Sequence, residues 1–119
     1  MENITLELKE DFEIIEEGTV YHLPVYKVVP GTGIVKVGGH LDIHFVRGSK
    51  NEEDQIEGKI GTLHEHLLAM MIHDLKYKNN LVPSREGSLV ITKLEEALGW
   101  LRQRQVDRTK RDVVGTYKK

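Results

Sequence analysis

The chain has 119 residues, 39% hydrophobic and 30% charged, with 17 basic and 19 acidic side chains and a formal net charge of -2. That length suits one domain with a modest core, and the near-even charge excludes a generally basic nucleic-acid binder. Zero cysteines exclude disulfides, thiolate zinc sites, iron–sulfur clusters and a cysteine nucleophile.

No apolar run approaches the ~20 residues of a bilayer span. The opening Met-Glu-Asn-Ile-Thr lacks the basic and apolar regions of a secretory leader, so a soluble cytoplasmic protein is expected. The first 60 residues read as short strands and turns. Ile4-Thr5-Leu6-Glu7-Leu8 and Phe12-Glu13-Ile14 alternate apolar with polar, as a half-buried sheet face requires. Val20–Val29 is rich in β-branched and aromatic residues, and Pro24 within it favours an edge or a bulge. Pro30-Gly31-Thr32-Gly33 signals a turn before Ile34–Val37. Gly38-Gly39 signals another before the alternating Leu41–Val46. Short strands on short turns imply an antiparallel meander. Residues 47–59 are polar and read as an exposed loop.

From Thr62 the period becomes helical. Thr62-Leu63-His64-Glu65 has the pattern of a capping box. Leu63, Leu67, Met71 and Leu75, flanked by Leu68 and Ile72, form an apolar stripe. The first helix is expected over 62–78, ending at Asn79-Asn80. The second is expected over 84–111 with Ser84 as N-cap, followed by a tail at 112–119. Its stripe is Ile91, Leu94, Leu98 and Leu101. The expected fold class is therefore α+β: a small N-terminal antiparallel sheet, then a two-helix hairpin. A second helix of more than about 35 Å is too long for so small a core, so its last turns should meet another subunit.

Charge is unevenly distributed. Residues 1–60 carry six bases and twelve acids, residues 61–98 four and five, and residues 99–119 seven and two. The basic segment contains Arg104 and Arg108, four apart and expected on one helix face, with Asp107 placed to hold Arg104 by a charge-assisted bond. Two guanidinium groups so placed could clamp a phosphate or pyrophosphate. Basic residues also favour helix C-termini through the macrodipole, so a solvated helix end fits the same pattern. Tyr77, late in the first helix, could stack a base, but it reaches such arginines only from a neighbouring subunit. Other motifs fail on spacing. His64, His66 and His73 lack the i, i+4 arrangement of a helical metal site, and Gly31-Thr32-Gly33 has no third glycine opening a helix. No G-x-S-x-G elbow occurs. Neither a metal nor a cofactor is expected.

The two helices carry a resemblance. Thr62-Leu63-His64-Glu65-His66-Leu67-Leu68-Ala69-Met70-Met71-Ile72-His73 resembles the first-helix pattern of phage Thoeris anti-defence proteins. Leu94-Glu95-Glu96-Ala97-Leu98-Gly99-Trp100-Leu101, Arg104-x-x-Asp107-Arg108 and Val113-Val114-Gly115-Thr116 resemble their second helix and tail. The resemblance covers about residues 41–119. It implies a sponge in the host cell cytoplasm, not an enzyme: a homo-oligomer, dimer or hexamer, that holds glycocyclic ADP-ribose intact and silences the defence effector. Some members also take up cyclic di- or trinucleotide signals of CBASS immunity at a second site. Carried onto this chain, the ligand-binding positions are Tyr77, Arg104, Asp107 and Arg108, with Gly87 and Arg47 as further positions.

This sequence departs from the family pattern in places. Where the family often reads Arg-Glu-Asn, it has Arg85-Glu86-Gly87 and so lacks a side-chain amide for the ligand. Gly99, mid-helix, costs about 1 kcal/mol against alanine and suggests close helix contact across an interface. Two rival readings stand beside the sponge. An enzyme degrading the same signals would need His44, His66 or Glu65 to activate water. A nucleic-acid or protein-binding module would use the basic tail, although the acidic remainder argues against a nucleic-acid partner. No membrane partner is expected.

Overall fold

The computed structural model describes residues 12–48 and 58–110. The expected Ile4–Leu8 strand, most of the 47–59 loop and the tail after Lys110 lie outside the described residues. The described chain forms two compact units, a sheet and a helical pair.

The sheet is the expected meander: β1 (Glu13–Glu16), β2 (Val20–Val29) and β3 (Gly33–His44), in spatial order β1-β2-β3 and antiparallel throughout. The turn after β2 closes through Thr32 N–H donating to the Val29 carbonyl at 3.0 Å. Gly38-Gly39 does not make the second turn that the sequence suggests. Both halves of β3 pair with β2, and the register steps from Pro24↔His40 to Val25↔Val37, leaving Gly38 and Gly39 as extra residues in a bulge. A ten-residue β2 facing a twelve-residue β3 forces that excess out of the ladder. Gly39 takes it up at φ 88°, where a side chain would be strained. The bulge expected at Pro24 is present. β1 pairs only as far as His22, so the proline, which lacks an N–H, has β3 alone as its neighbour among the described strands.

Tyr21 organises one end of the sheet. Its ring meets Phe12 at 6.1 Å and Phe45 edge-on at 5.8 Å, and its hydroxyl accepts from Gly18 N–H at 3.0 Å. Beyond β3, Arg47 and Lys59 exchange two backbone hydrogen bonds of 3.0 and 2.9 Å.

The helical unit consists of α1 (His64–Leu81) and α2 (Arg85–Lys110). The capping box does not form. The backbone stays extended through Leu63 (φ -104, ψ 152), which takes the N-cap position with no side-chain bond, so Glu65 falls one place too early to reach back. Ser84 does cap α2 as expected, its Oγ accepting from Gly87 N–H at 2.9 Å. The stripe on α2 is also as expected: Ile91 and Leu98 are buried and Leu94 packs beside them. On α1 the buried line is narrower than the sequence suggests. Leu68, Ile72 and Leu75 face α2, while Leu63 and Met71 are left exposed. Two helices cover only one side of each other, and α1 has more apolar residues than that side can hold. Lys76 and Glu95 link the helices at 2.9 Å; both are half-exposed, which limits the pair to about 0.2–1 kcal/mol.

Asn79 does not end α1, which runs one more turn-fraction to Leu81. Its side chain instead bridges the hairpin: Oδ1 accepts from Ser84 N–H at 3.0 Å, and Nδ2 donates to Ser88 Oγ at 3.2 Å. No described helix is long and apolar enough to cross a membrane.

Candidate functional site

The last three turns of α2 carry the basic residues that the sequence singles out. At 1.5 Å per residue the 26-residue helix is about 39 Å long, and Arg104 lies about 13 Å along its axis from the Lys76–Glu95 link. Arg104 is exposed, whereas Arg108 is only 8% exposed. The two residues share a helix face, as the spacing predicts, but sit at unequal depth. The row Leu98, Leu101, Gln105 and Arg108 continues the α1-facing side of α2, and Arg104 sits about 40° away from Arg108 around the axis, at the rim. A guanidinium held inside and another at the edge can grip an anion from two depths, with Arg108 positioned by its surroundings and Arg104 closing from solvent.

Asp107 does not hold Arg104. Its Oδ1 accepts from Gln103 Nε2 at 3.1 Å, one turn back on the same helix, and no Arg104–Asp107 ion pair occurs among the described residues. The short glutamine reaches the carboxylate directly, which leaves the Arg104 arm free to extend toward a ligand. Thr109 folds back onto the Gln105 carbonyl at 2.8 Å.

The sequence reading missed Trp100, one turn before Arg104. It is 75% exposed, an unusual position for so large an apolar ring, and lies on the same side of α2 as Arg104 and Asp107. The i, i+4 spacing of Trp100 and Arg104 was the available signal. An aromatic face beside a guanidinium is what stacking a base and holding a phosphate require.

The remaining expected positions lie elsewhere. Tyr77 is 61% exposed on α1, near the hairpin turn and therefore toward the other end of the pair from Arg104. Gly87 is in the first turn of α2, on a cleft of about 390 Å³ lined mainly by Leu75, Asn79, Leu81, Val82 and Ser84. A side chain at 87 would collide with Asn79 Oδ1 and come within 3.0 Å of Ser84 Oγ. The Asn79 bridge thus occupies the space that an asparagine at 87 would need. Arg47, half-buried, belongs to the sheet unit. Within one chain the structure brings together Arg104, Asp107 and Arg108, and it keeps Tyr77 and Gly87 at the turn.

The three-stranded antiparallel sheet followed by the helical pair defines the class: a small α+β protein. The chain is similar to "Thoeris anti-defense 1" of Bacillus phage SBSphiJ7, 46% identical over 63 residues. The match takes in 52% of this chain and 44% of that protein, so the chain spans less than half the length of this curated relative. The name of that relative agrees with the resemblance carried by the helices. No protein-family model matches the chain.

Proposed function

We propose that this chain is a phage anti-defence protein that binds glycocyclic ADP-ribose and holds it intact, so that the Thoeris effector in the host cytoplasm is never activated. The observation that carries the reading is the end of α2, where exposed Trp100 and Arg104 flank Asp107 and the buried Arg108. A pyrophosphate needs the two guanidinium groups, and an adenine needs an exposed ring. The name of the Bacillus phage relative supports the anti-defence role.

The working form is a homo-oligomer built on the helices. Met70, Tyr77 and Leu81 on α1, with Leu89, Val90 and Trp100 on α2, are all at least 46% exposed. So much apolar surface on so small a unit favours a covering partner. A second copy running antiparallel brings its Tyr77 toward Arg104 of the first, which completes a site that one chain holds only in halves. Cyclic di- or trinucleotides at a separate site are a further capacity of the same protein.

The test is calorimetric titration of the full chain with glycocyclic ADP-ribose, followed by heat release and chromatography of the ligand. Tight binding with intact ligand recovered, weakened at least tenfold by Arg104→Ala, is expected. Breakdown of the ligand makes the protein an enzyme, and absence of binding refutes the reading.

A further inference from the structure

The sheet unit holds a cluster that none of the chemistry above uses. His22 on β2 pairs directly with Asp42 on β3, and His40 stands two residues before Asp42, so the three side chains share one face. His22 Nε2 lies 3.2 Å from Asp42 Oδ1, and His40 Nε2 lies 3.0 Å from the same oxygen. One donor atom from each residue can be chosen so that all lie within 4.8 Å of one another. On the far side of His22, its Nδ1 faces Glu13 Oε1 at 3.6 Å, because Glu13 on β1 is the cross-strand partner of His22.

We propose that His22, His40 and Asp42 form a binding site for a divalent transition-metal ion of the zinc, nickel and copper class. Ligand atoms about 2.0–2.1 Å from one ion stand about 2.8–3.4 Å apart for angles between 90° and tetrahedral. The two contacts to Asp42 already have that spacing. Glu13 stands where a ligating imidazole usually has a carboxylate behind it, and closing its 3.6 Å gap to Nδ1 would hold the proton there and leave the Nε2 lone pair for the ion. The two rings are stacked, 3.7 Å between centroids and 11° from parallel, so their lone pairs run side by side. Capture therefore requires one ring to turn about its Cβ–Cγ bond. His40, 47% exposed against 21% for His22, is the ring with room to do so. A cleft of about 330 Å³ along Glu13, His22, Pro24, Lys36 and His40 leaves space for water or a small anion in the open positions. Two nitrogens and one carboxylate select against magnesium and calcium, which prefer oxygen throughout.

The site is a product of register. The bulge at Gly38-Gly39 ends at His40, and a shift of one residue there would turn His40 to the opposite face. An ion held by β2 and β3 together ties the strands just beside that bulge, on its Pro24–His40 side.

The experiment uses the full-length chain without an affinity tag, dialysed against a chelator and titrated with ZnCl2 at neutral pH, with thermal unfolding followed in parallel. One ion per chain is expected, with a midpoint that rises with zinc, and with NiCl2 broadening the His22 and His40 imidazole resonances selectively. His22→Ala and His40→Gln should each weaken zinc at least tenfold, while His66→Ala and His73→Ala leave it unchanged; His40→Gln, at an exposed position, keeps the test valid if His22→Ala folds poorly. No zinc uptake by the parent chain, or uptake unaffected by His40→Gln, overturns the proposal, as does equal uptake of magnesium.

Discussion

Replacing Gly87 by alanine tests the Asn79 bridge at the hairpin turn. At an ordinary helical position the change stabilises by about 0.5–1 kcal/mol, because glycine loses more backbone freedom on folding. Here the new Cβ collides with Asn79 Oδ1, and the amide must leave Ser84 N–H and Ser88 Oγ. Each hydrogen bond contributes about 0.5–1.5 kcal/mol net, and the exposure of these two places them toward the lower end. Losing both costs about 1–2 kcal/mol, so Gly87→Ala should destabilise by roughly 0.5–1 kcal/mol. In an Asn79→Ala background nothing remains to displace except Ser84 Oγ, which shifts by a few tenths of an ångström, and the same change should become stabilising. The coupling energy, read by urea denaturation of the four proteins, should thus be about 1–2 kcal/mol. If Gly87→Ala stabilises both backgrounds equally, Asn79 does not lie against Gly87 and the account is wrong.

The other predictions concern the core, the interface and the binding end. Ile72→Ala removes one of the three buried apolar side chains of the helical pair and should cost about 2–5 kcal/mol, measured by chemical denaturation with both helices monitored by circular dichroism. Gly99→Ala meets open space within the chain, so the isolated protomer should gain about 0.5–1 kcal/mol; a loss of oligomer on sizing columns would instead place a partner helix against Gly99. Trp100 is the single tryptophan and 75% exposed, so ligand stacking should shift its emission toward shorter wavelength or quench it, a change absent in Trp100→Leu. Lys76→Ala should change stability by less than about 1 kcal/mol, with an effect that shrinks further in high salt.

Much of this architecture is legible in the sequence because it rests on periodicity. Alternation in Leu41–Val46 and three-and-four spacing in Ile91, Leu94 and Leu98 each follow from which face must be dry, and the order of sheet then helices follows from them. What the sequence hides is decided by pairs of elements. Gly38-Gly39 has the composition of a turn, and only the lengths of β2 and β3 make it a bulge. Thr62 has the residues of a capping box around it, but the extended chain arriving from Lys59 carries Leu63 into the cap position. At the candidate site, spacing correctly groups Arg104 with Arg108 on adjacent turns. It does not disclose that one is buried and the other free to move, nor that Asp107 is taken by Gln103. His22, His40 and Asp42 are unremarkable apart in sequence, and strand register alone assembles them.

Three residues, 82–84, separate α1 from α2. Asn79 holds Ser84 N–H and Ser88 Oγ, and Ser84 Oγ holds Gly87 N–H, so the first turn of α2 is pinned to the end of α1. A residue inserted in α2 just after that pin would rotate everything beyond it by about 100° about the helix axis. Leu98 would swing away from Ile72, and the direction in which Arg104 and Trp100 point would change by more than a quarter turn. The pinned turn therefore works as the phase setting of the second helix. Substitutions along α2 can vary what its outward side offers, but the spacing from this pin decides which side is outward, and it can change only together with the whole apolar stripe.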